Sequence, residues 1–273
     1  MLPYLNIGPV MVQLPGLALL LGLWLGMELS ARQAVRLGLS GERVVNLIFW
    51  GLGMGAVAAR LGYALRYPDA FVSAPLSLFS LNPQTLDPWF GLLGGLIAAW
   101  AYGQRSHLPL RPTLDALAPG LATFAVFVGV AHVLSGDAYG MPTSLPWGIE
   151  LWGAKRHPTQ FYEVLLTTGV LAWVGEQGRK ARGDGTLFLT TVGLLATVRL
   201  FVEGFRGDSL TVLGGLRVAQ MVALAGLLLV VWLYPFWRQN PPAYQPSEKA
   251  SPSRGKAGQR KSAKRAKNRR KRH

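Results

Sequence analysis

The chain of 273 residues contains no cysteine. It therefore forms no disulfide and offers no thiolate as a metal ligand or as a nucleophile. Any thiol chemistry in which the protein takes part must use the thiol of another molecule. The absence does not distinguish an oxidising compartment from a reducing one.

Charged residues are scarce outside the C-terminus. Asp, Glu, Lys and Arg make up 15% of a chain that is half hydrophobic, yet the net charge is +15. Residues 238–273 hold 13 Lys and Arg against one acid, Glu248, so this tail carries +12 and the first 237 residues only +3. The sequence predicts a membrane domain over 1–237 and a disordered basic tail over 238–273. The tail's position after an apolar segment favours contact with anionic lipid headgroups over nucleic-acid binding.

Long apolar runs dominate the rest of the chain. Crossing a bilayer takes about 20 apolar residues, and seven segments approach that length: 12–29, 44–65, 86–103, 116–134, 160–176, 185–205 and 212–237. The first run begins at Val12 without a basic segment before it, and no small-residue cleavage site follows Met27, so we expect a retained span. The predicted fold class is an all-α integral membrane protein with about seven transmembrane helices.

Basic residues alternate between the loops and predict the orientation. They occur between spans one and two, three and four, and five and six: Arg32, Arg36, Arg43, Arg105, Arg111, Arg179, Lys180 and Arg182. These loops and the basic tail are expected in the cytoplasm, with the N-terminus outside. The remaining loops, 66–85, 135–159 and 206–211, are then expected to form an outward-facing head.

Glycines cluster in two of the predicted spans. Residues 51–55 read Gly-Leu-Gly-Met-Gly, and residues 91–95 read Gly-Leu-Leu-Gly-Gly. Small residues let lipid-embedded helices approach closely, so these glycines are expected to pack helices together. No repeat of halves is visible that would favour an inverted-repeat transporter.

A polar run stands at the boundary of the fifth predicted span. Residues 156–163 read Arg-His-Pro-Thr-Gln-Phe-Tyr-Glu. Polar groups beside hydrocarbon cost several kcal/mol unless each one has a partner. The run therefore indicates a site at the outer boundary of the membrane.

Charged residues also lie inside the predicted spans. Arg60 is in the second span, and Arg199 and Glu203 lie four residues apart on one face of the sixth. Arg199 and Glu203 alone would suit an ion pair that holds the bundle together. Cations nevertheless outnumber acids near this boundary, and guanidinium groups suit phosphate. The cations are Arg60, Arg156, Arg199 and Arg206, and the acids are Glu163 and Glu203.

Several of these motifs, in this order, resemble a known family, the phosphatidylglycerol–prolipoprotein diacylglyceryl transferases of bacterial inner membranes. Residues 156–163 are similar to the family's Arg-His-Pro-Ser-Gln-Leu-Tyr-Glu element, and residues 60–63 to its Gly-Arg-x-Gly-Tyr element. Residues 115–119 resemble Asp-x-x-Ala-Pro, residues 199–206 an arginine/glutamate helix, and residues 215–220 the start of the last span.

The resemblance implies transfer of an sn-1,2-diacylglyceryl group from phosphatidylglycerol to the lipobox cysteine thiol of a prolipoprotein. A thioether forms and glycerol 1-phosphate is released. The implied partners are phosphatidylglycerol, prolipoprotein signal peptides and membrane lipids, with no cofactor, no metal and no nucleic acid. The expected location is the bacterial inner membrane.

The same resemblance, with the chemistry of the residues, predicts roles at the site. Arg199, Arg60 and Arg206 are expected to hold the phosphate, and Glu203 to orient Arg199 or take a proton. His132 or His157 is expected to deprotonate the thiol. The remaining predicted substrate-binding residues are Arg156, Gln160, Tyr162, Glu163 and Asp137, with Glu163 expected to pair with Arg156.

Some positions depart from the family pattern. Leu93 stands where the family has a catalytic histidine, and Pro15 where it has a tyrosine. In the Gly-Arg-x-Gly-Asn-x-x-Asn-Gly-Glu signature this chain has Gly129 for arginine, together with three further changes: His132, Ser135 and Asp137. Two readings of His132 stay open, a base or a helix-packing hydrogen bonder.

The departures leave alternatives to the transferase reading. One is a catalytically impaired homologue that binds phospholipid or lipoprotein without transfer. The other is a small anion transporter that uses Arg60 and Arg199.

Overall fold

The computed structural model describes residues 4–7, 10–73, 75–79, 85–212 and 215–241. Eight α-helices occur in these ranges: α1 Leu14–Arg36, α2 Gly41–Arg66, α3 Pro68–Ser73, α4 Pro88–Arg105, α5 Leu110–Ser135, α6 Thr159–Gly178, α7 Thr186–Glu203 and α8 Val218–Gln239. A 3-10 turn spans Pro75–Phe79. Three antiparallel two-stranded ribbons complete the fold: β1 Tyr4–Ile7 with β2 Val10–Gln13, β3 Ile149–Leu151 with β4 Ala154–Arg156, and β5 Thr211–Val212 with β6 Leu216–Arg217.

The helices support the predicted class of a mostly helical membrane protein. Five of them are long and apolar enough to cross a membrane: α1, α2, α5, α7 and α8. The other two long helices, α4 and α6, are not among the five. Helix α6 includes Gln160, Glu163 and Glu176, which lower its apolar character.

Each predicted span contains a long helix, but several ends differ: α1 runs seven residues past the predicted end at 29, and α5 begins six residues before the predicted start at 116. Residues 12–13 belong to β2, Val212 belongs to β5, and residues 216–217 form β6, where the prediction had a span. Gly215 has φ +109°, which an α-helix cannot accommodate. The β5–β6 ribbon therefore precedes α8, which begins only at Val218.

Glycines bring α2 and α4 into close contact, as predicted for helix packing. A Cβ added at Gly95 would lie 2.9 Å from the Gly51 carbonyl oxygen, and one at Gly55 would lie 3.0 Å from the Gly91 carbonyl oxygen. Helices α1 and α5 meet in the same way, because a Cβ added at Gly26 would lie 3.0 Å from the Gly120 carbonyl oxygen.

Helix α5 packs against α1, α6 and α7, and α7 packs against α8. Asp115, which lies in the Asp-x-x-Ala-Pro motif, is fully buried in this arrangement. Its carboxylate accepts hydrogen bonds from the backbone N–H groups of Gly185 (2.9 Å) and Phe188 (3.0 Å). These are donors at the start of α7 that the helix itself leaves unpaired, so Asp115 ties the start of α7 to α5.

The predicted tail lies almost wholly outside the described residues. Helix α8 continues to Gln239 and the description ends at Pro241, so residues 242–273 are not covered. The division between 1–237 and 238–273 stays a prediction.

Candidate active site

Three chain segments assemble beyond the ends of α5, α6 and α7. The extended segment 139–143 lies between residues 155–157 and 205–207. Its hydrogen bonds run from Met141 N to the Phe205 carbonyl (2.8 Å), from Gly207 N to the Tyr139 carbonyl (2.8 Å), and from His157 N to the Met141 carbonyl (3.0 Å). This pairing brings the polar run 156–163 next to the charged end of α7.

A network of two arginines and two carboxylates continues from the end of α7. Glu203 is fully buried, and its Oε2 lies 3.0 Å from Arg199 Nη2 and 3.8 Å from Arg206 Nε. Arg206 also forms a bidentate pair with Asp208, at 2.9 Å (Nε to Oδ1) and 3.0 Å (Nη2 to Oδ2). The structure thus brings together Arg199, Glu203 and Arg206, as predicted, and adds Asp208.

The Arg206–Asp208 pair shifts both pKa values. Burial alone would raise the pKa of Asp208, but the hydrogen bonds and charge of Arg206 outweigh it and lower the pKa below 3.8. Burial alone would lower the pKa of Arg206, but Asp208 and Glu203 outweigh it and raise the pKa. Asp208 also accepts from Ala138 N (3.0 Å), so this pair ties the chain after α7 to the chain after α5.

Arg199 lies where two cavities meet. One cavity, of about 240 Å³, lies among α5, α6 and α7 and has Glu163 and Thr167 in its wall. The other, of about 720 Å³, lies mainly between α7 and α8 and joins apolar walls to a charged end. The charged end consists of Arg199, Glu203, Arg206 and Asp208. A cavity that is apolar along its length and has the partly exposed Arg199 at its charged end matches the two parts of an anionic lipid.

His132 and Glu163 form the second ionisable pair at this site. His132 Nδ1 lies 2.7 Å from Glu163 Oε2, across the contact between α5 and α6. Gly129 permits that contact, because a Cβ there would lie 2.9 Å from Val164 Cγ2 and 3.2 Å from Val164 N. Two of the departures from the family pattern, Gly129 and His132, are therefore coupled in space.

Arg156 serves the fold of the loop rather than a carboxylate. It donates to the carbonyl groups of Leu151 (3.0 Å) and Gly140 (3.3 Å), and its guanidinium lies 4.9 Å from the Tyr139 ring centroid. The expected pair between Arg156 and Glu163 does not form, since Glu163 pairs with His132.

The side chain of Gln160 contacts the backbone of Asp137. Gln160 is fully buried and donates to the Asp137 carbonyl (3.0 Å), while the neighbouring Thr159 hydroxyl donates to the Ala138 carbonyl (2.6 Å). The whole Asp137 residue is exposed. These contacts anchor the start of α6 to the loop after α5.

His157 and Tyr162 lie in a different cavity, of about 370 Å³, that is walled by aromatic and leucine side chains. The Tyr162 hydroxyl accepts from Trp147 Nε1 (2.9 Å), and the His157 ring lies 5.2 Å from the Phe205 ring centroid. His157 Nδ1 is buried and has no partner among the described residues. The structure thus separates His157 from the cavities beside Arg199.

Arg60 and Leu93 lie outside the described linings of both cavities beside Arg199. The Arg60 guanidinium is buried. It donates to the backbone carbonyl groups of Leu78 (3.0 Å), Thr85 (2.8 Å) and Ser77. Leu93 is 59% exposed on the surface of α4. The position where the family has a histidine is therefore filled here by an apolar residue on the outside of a helix.

One arginine was missed in the sequence. Arg217 is the residue before α8, its Nη1 is buried, and that atom has no hydrogen-bond partner among the described residues. Its Nη2 lies 3.6 Å from Met141 Sδ, next to the 139–143 segment. The signal in the sequence was a lone arginine at the start of the long, mostly apolar segment that forms α8.

Comparison with known proteins agrees with the motifs. A model of the prolipoprotein diacylglyceryl transferase family matches residues 3–236. A phosphatidylglycerol–prolipoprotein diacylglyceryl transferase of Gloeobacter violaceus is 33% identical over 81% of this chain and 90% of its own length. Proteins of the same name from Synechococcus elongatus (30% identical, 89% of this chain and 90% of theirs) and Clostridioides difficile (28%, 78% and 86%) are also similar. The resemblance inferred from the motifs is confirmed, and the chain belongs to the prolipoprotein diacylglyceryl transferase family.

Proposed function

We propose that this protein transfers the diacylglyceryl group of phosphatidylglycerol to the lipobox cysteine of a prolipoprotein. The observation that carries the proposal is the position of Arg199, at the charged end of an apolar cavity and beside a second cavity whose wall includes Glu163. The names of the relatives supply the two substrates. The two cavities would let the phospholipid and the prolipoprotein reach Arg199 from different sides.

Arg199 is the arginine best placed to bind the lipid phosphate. Its side chain is 35% exposed, whereas that of Arg206 is 11% exposed and is held bidentately by Asp208. Glu203 Oε2 lies 3.0 Å from Arg199 but receives no well-directed hydrogen bond from the described residues. Glu203 thus keeps the guanidinium in place while leaving its donors available to phosphate oxygens. The acyl chains would lie along the apolar walls between α7 and α8.

His132 is the best-placed base for the incoming thiol. In the tautomer that pairs with a carboxylate, Nδ1 carries the proton and Nε2 is the basic nitrogen, and Glu163 stabilises the imidazolium that forms. The nucleophile belongs to the prolipoprotein, which agrees with the absence of cysteine from this chain. His157 and Arg60 have no part in this mechanism.

The proposed reaction is a substitution at the carbon of the diacylglyceryl group that is bonded to the phosphate oxygen. The thiol proton moves to His132, and the thiolate sulfur forms a C–S bond as the C–O bond to phosphate breaks. The electron pair of that bond stays on the departing glycerol 1-phosphate, where Arg199 stabilises the growing negative charge. His132 then releases its proton to solvent.

We further propose that all seven long helices cross the bacterial inner membrane. Helix α4, with 18 residues, and α6, with 20, would be about 27 and 30 Å long at 1.5 Å per residue, close to the thickness of the hydrocarbon core. The basic connections α1–α2, α4–α5 and α6–α7 support a cytoplasmic location for those loops, with the N-terminus outside. The Arg199 site would then face the outer leaflet.

The test is incubation of the purified protein with phosphatidylglycerol and a lipobox peptide, followed by mass spectrometry. A peptide with Ser in place of the lipobox Cys is the control for thiol-dependent transfer. The expected product is a thioether-linked diacylglyceryl peptide, with at least 100-fold less from Arg199→Gln. Absence of product from the native protein, where a related enzyme is active, would overturn the proposal. Lipid binding without product would instead support the impaired homologue.

A further inference from the structure

A fourth cavity, of about 570 Å³, lies at the opposite end of the bundle from Glu203. It is formed by the end of α6, the α6–α7 connection and the end of α8. Thr186, where α7 begins and which lines this cavity, lies about 20 Å along the helix from Arg199. The cavity therefore belongs to the other boundary of the membrane and has no part in the transfer reaction proposed above.

The lining of this cavity is cationic and aromatic. It includes Trp173, Lys180, Arg182, Tyr234 and Arg238. The acid in the lining is Asp184, whose Oδ1 accepts from Thr186 N (3.0 Å) and Thr186 Oγ1 (2.6 Å) at the start of α7. Lys180 pairs with Glu176 at 3.2 Å. No acidic partner is assigned to Arg182 or Arg238 within the described part of the chain.

The end of α8 is held in place beside the cavity. Arg111, at the start of α5, donates to the carbonyl groups of Trp237 (3.5 Å) and Asn240, and its guanidinium lies 5.0 Å from the Trp237 ring centroid. These bonds satisfy carbonyl groups that the end of a helix leaves unpaired and offset their partial negative charge. They fix the position of the end of α8, the helix that carries Arg238, beside the cavity.

We propose that this cavity binds the phosphate headgroup of an anionic phospholipid from the adjacent leaflet. Arg182 and Arg238 would donate to the phosphate oxygens, and Trp173 and Tyr234 would lie at the level of the glycerol backbone, where such side chains concentrate. The chain beyond Pro241 does not suit the cavity, because it is itself strongly basic. It would add to the attraction for the same anionic leaflet. The proposal depends on a membrane location and not on transferase activity.

The test is native mass spectrometry of the full chain in neutral detergent. The probes are phosphatidic acid, which has an anionic phosphate headgroup, and phosphatidylcholine, whose net charge is zero. The test variant is Arg182→Gln/Arg238→Gln. The matched control is Arg105→Gln/Arg179→Gln, which removes two cations from helix ends on the same side of the bundle but outside the cavity lining. All the proteins keep the basic tail, so its attraction for lipid is common to them.

We expect the test variant to bind phosphatidic acid about tenfold more weakly than the native and control proteins, because two charge-assisted hydrogen bonds are lost. Its transferase activity and thermal unfolding midpoint should match those of the control. The Arg182→Lys/Arg238→Lys variant should retain most of the binding, since it keeps both charges.

Three results would overturn the proposal. One is equal loss of phosphatidic acid in the test and control variants. Another is equal affinity for phosphatidic acid and phosphatidylcholine. The third is displacement of the lipid by millimolar inorganic phosphate, which would indicate a site for the free anion. None of these results concerns the Arg199 site, so the proposed transferase function stands or falls separately.

Discussion

At the scale of single residues, the partners of each arginine decide its use. Arg60 is engaged by backbone carbonyl groups, Arg156 by two carbonyl groups and a ring, and Arg206 by Asp208. Arg199 keeps one carboxylate neighbour and faces two cavities. An arginine whose donors are already used stabilises the fold, whereas one with free donors is available to an anion.

Replacing His132 by Asn should lower the transferase rate by about 100-fold or more, because an amide cannot accept the thiol proton. The peptide and lipid KM values should change little. The measurement is kcat and both KM values of the native protein and the variant under the same conditions.

His107→Asn is the matched control for His132. His107 is exposed in the α4–α5 connection and has φ +52°, a conformation that asparagine tolerates. Full activity of His132→Asn would exclude the imidazole as the base and support its reading as a helix-packing hydrogen bonder.

Replacing Asp208 by Asn should destabilise the protein by about 2 kcal/mol at pH 7, because Arg206 loses a bidentate carboxylate. The pKa of Asp208 is lowered in the folded state. Its stabilising contribution is therefore complete above its unfolded pKa, about 4, and is lost as the pH falls through the lower folded value.

Unfolding in mixed detergent at a series of pH values checks this prediction. The difference between native and Asp208→Asn proteins should shrink below about pH 4. Asp137→Asn serves as the control, since the contact of Asp137 with Gln160 uses its backbone carbonyl. A difference that does not depend on pH would show that the carboxylate charge is not responsible.

At the scale of elements, the helix contacts are set by glycines and by one buried acid. Helices α2 and α4 touch along Gly51, Gly55, Gly91 and Gly95. Asp115 ties the start of α7 to α5. The Asp-x-x-Ala-Pro motif therefore has a structural role, which the sequence alone did not indicate. Together these contacts establish the frame that places Arg199 between two cavities.

Gly95→Ala should destabilise the α2–α4 pair by about 2 kcal/mol, since its Cβ would lie 2.9 Å from the Gly51 carbonyl oxygen and force the helices apart. Gly53→Ala is the control, because a Cβ at Gly53 meets nothing within 4 Å on the same helix pair. The midpoints of unfolding in mixed detergent are the measurement. Equal stability of the two variants would contradict the close contact.

At the scale of the whole molecule, the absence of cysteine allows a direct test of the proposed orientation. Ser144→Cys, in the loop before β3, should react with a membrane-impermeant maleimide in intact spheroplasts. Ser106→Cys, after α4, should react only once the membrane is opened, because its loop is expected in the cytoplasm. The reverse pattern would invert the topology, and labelling of both in intact spheroplasts would contradict the placement of α5, which lies between them, as a crossing helix.

Much of the fold was predictable because its signals are local. The length of an apolar run, the position of a glycine and the charge of a loop are each read within a few turns of chain. The β5–β6 ribbon before α8 was missed, since Val212 and Leu216 are as apolar as residues of a span. Gly215, with its positive φ, was the local sign that the helix begins later.

The candidate site was predictable as a set of residue types but not as a set of contacts. The sequence by itself determined that an arginine and a glutamate share one face of α7, because their spacing of four follows the helical period. Only the tertiary structure decided that Glu163 pairs with His132 and not with Arg156, and that Asp208 occupies Arg206 while Arg199 faces two cavities. The physical reason is that these partners come from separate helices and loops, so which donors are used depends on how the segments meet.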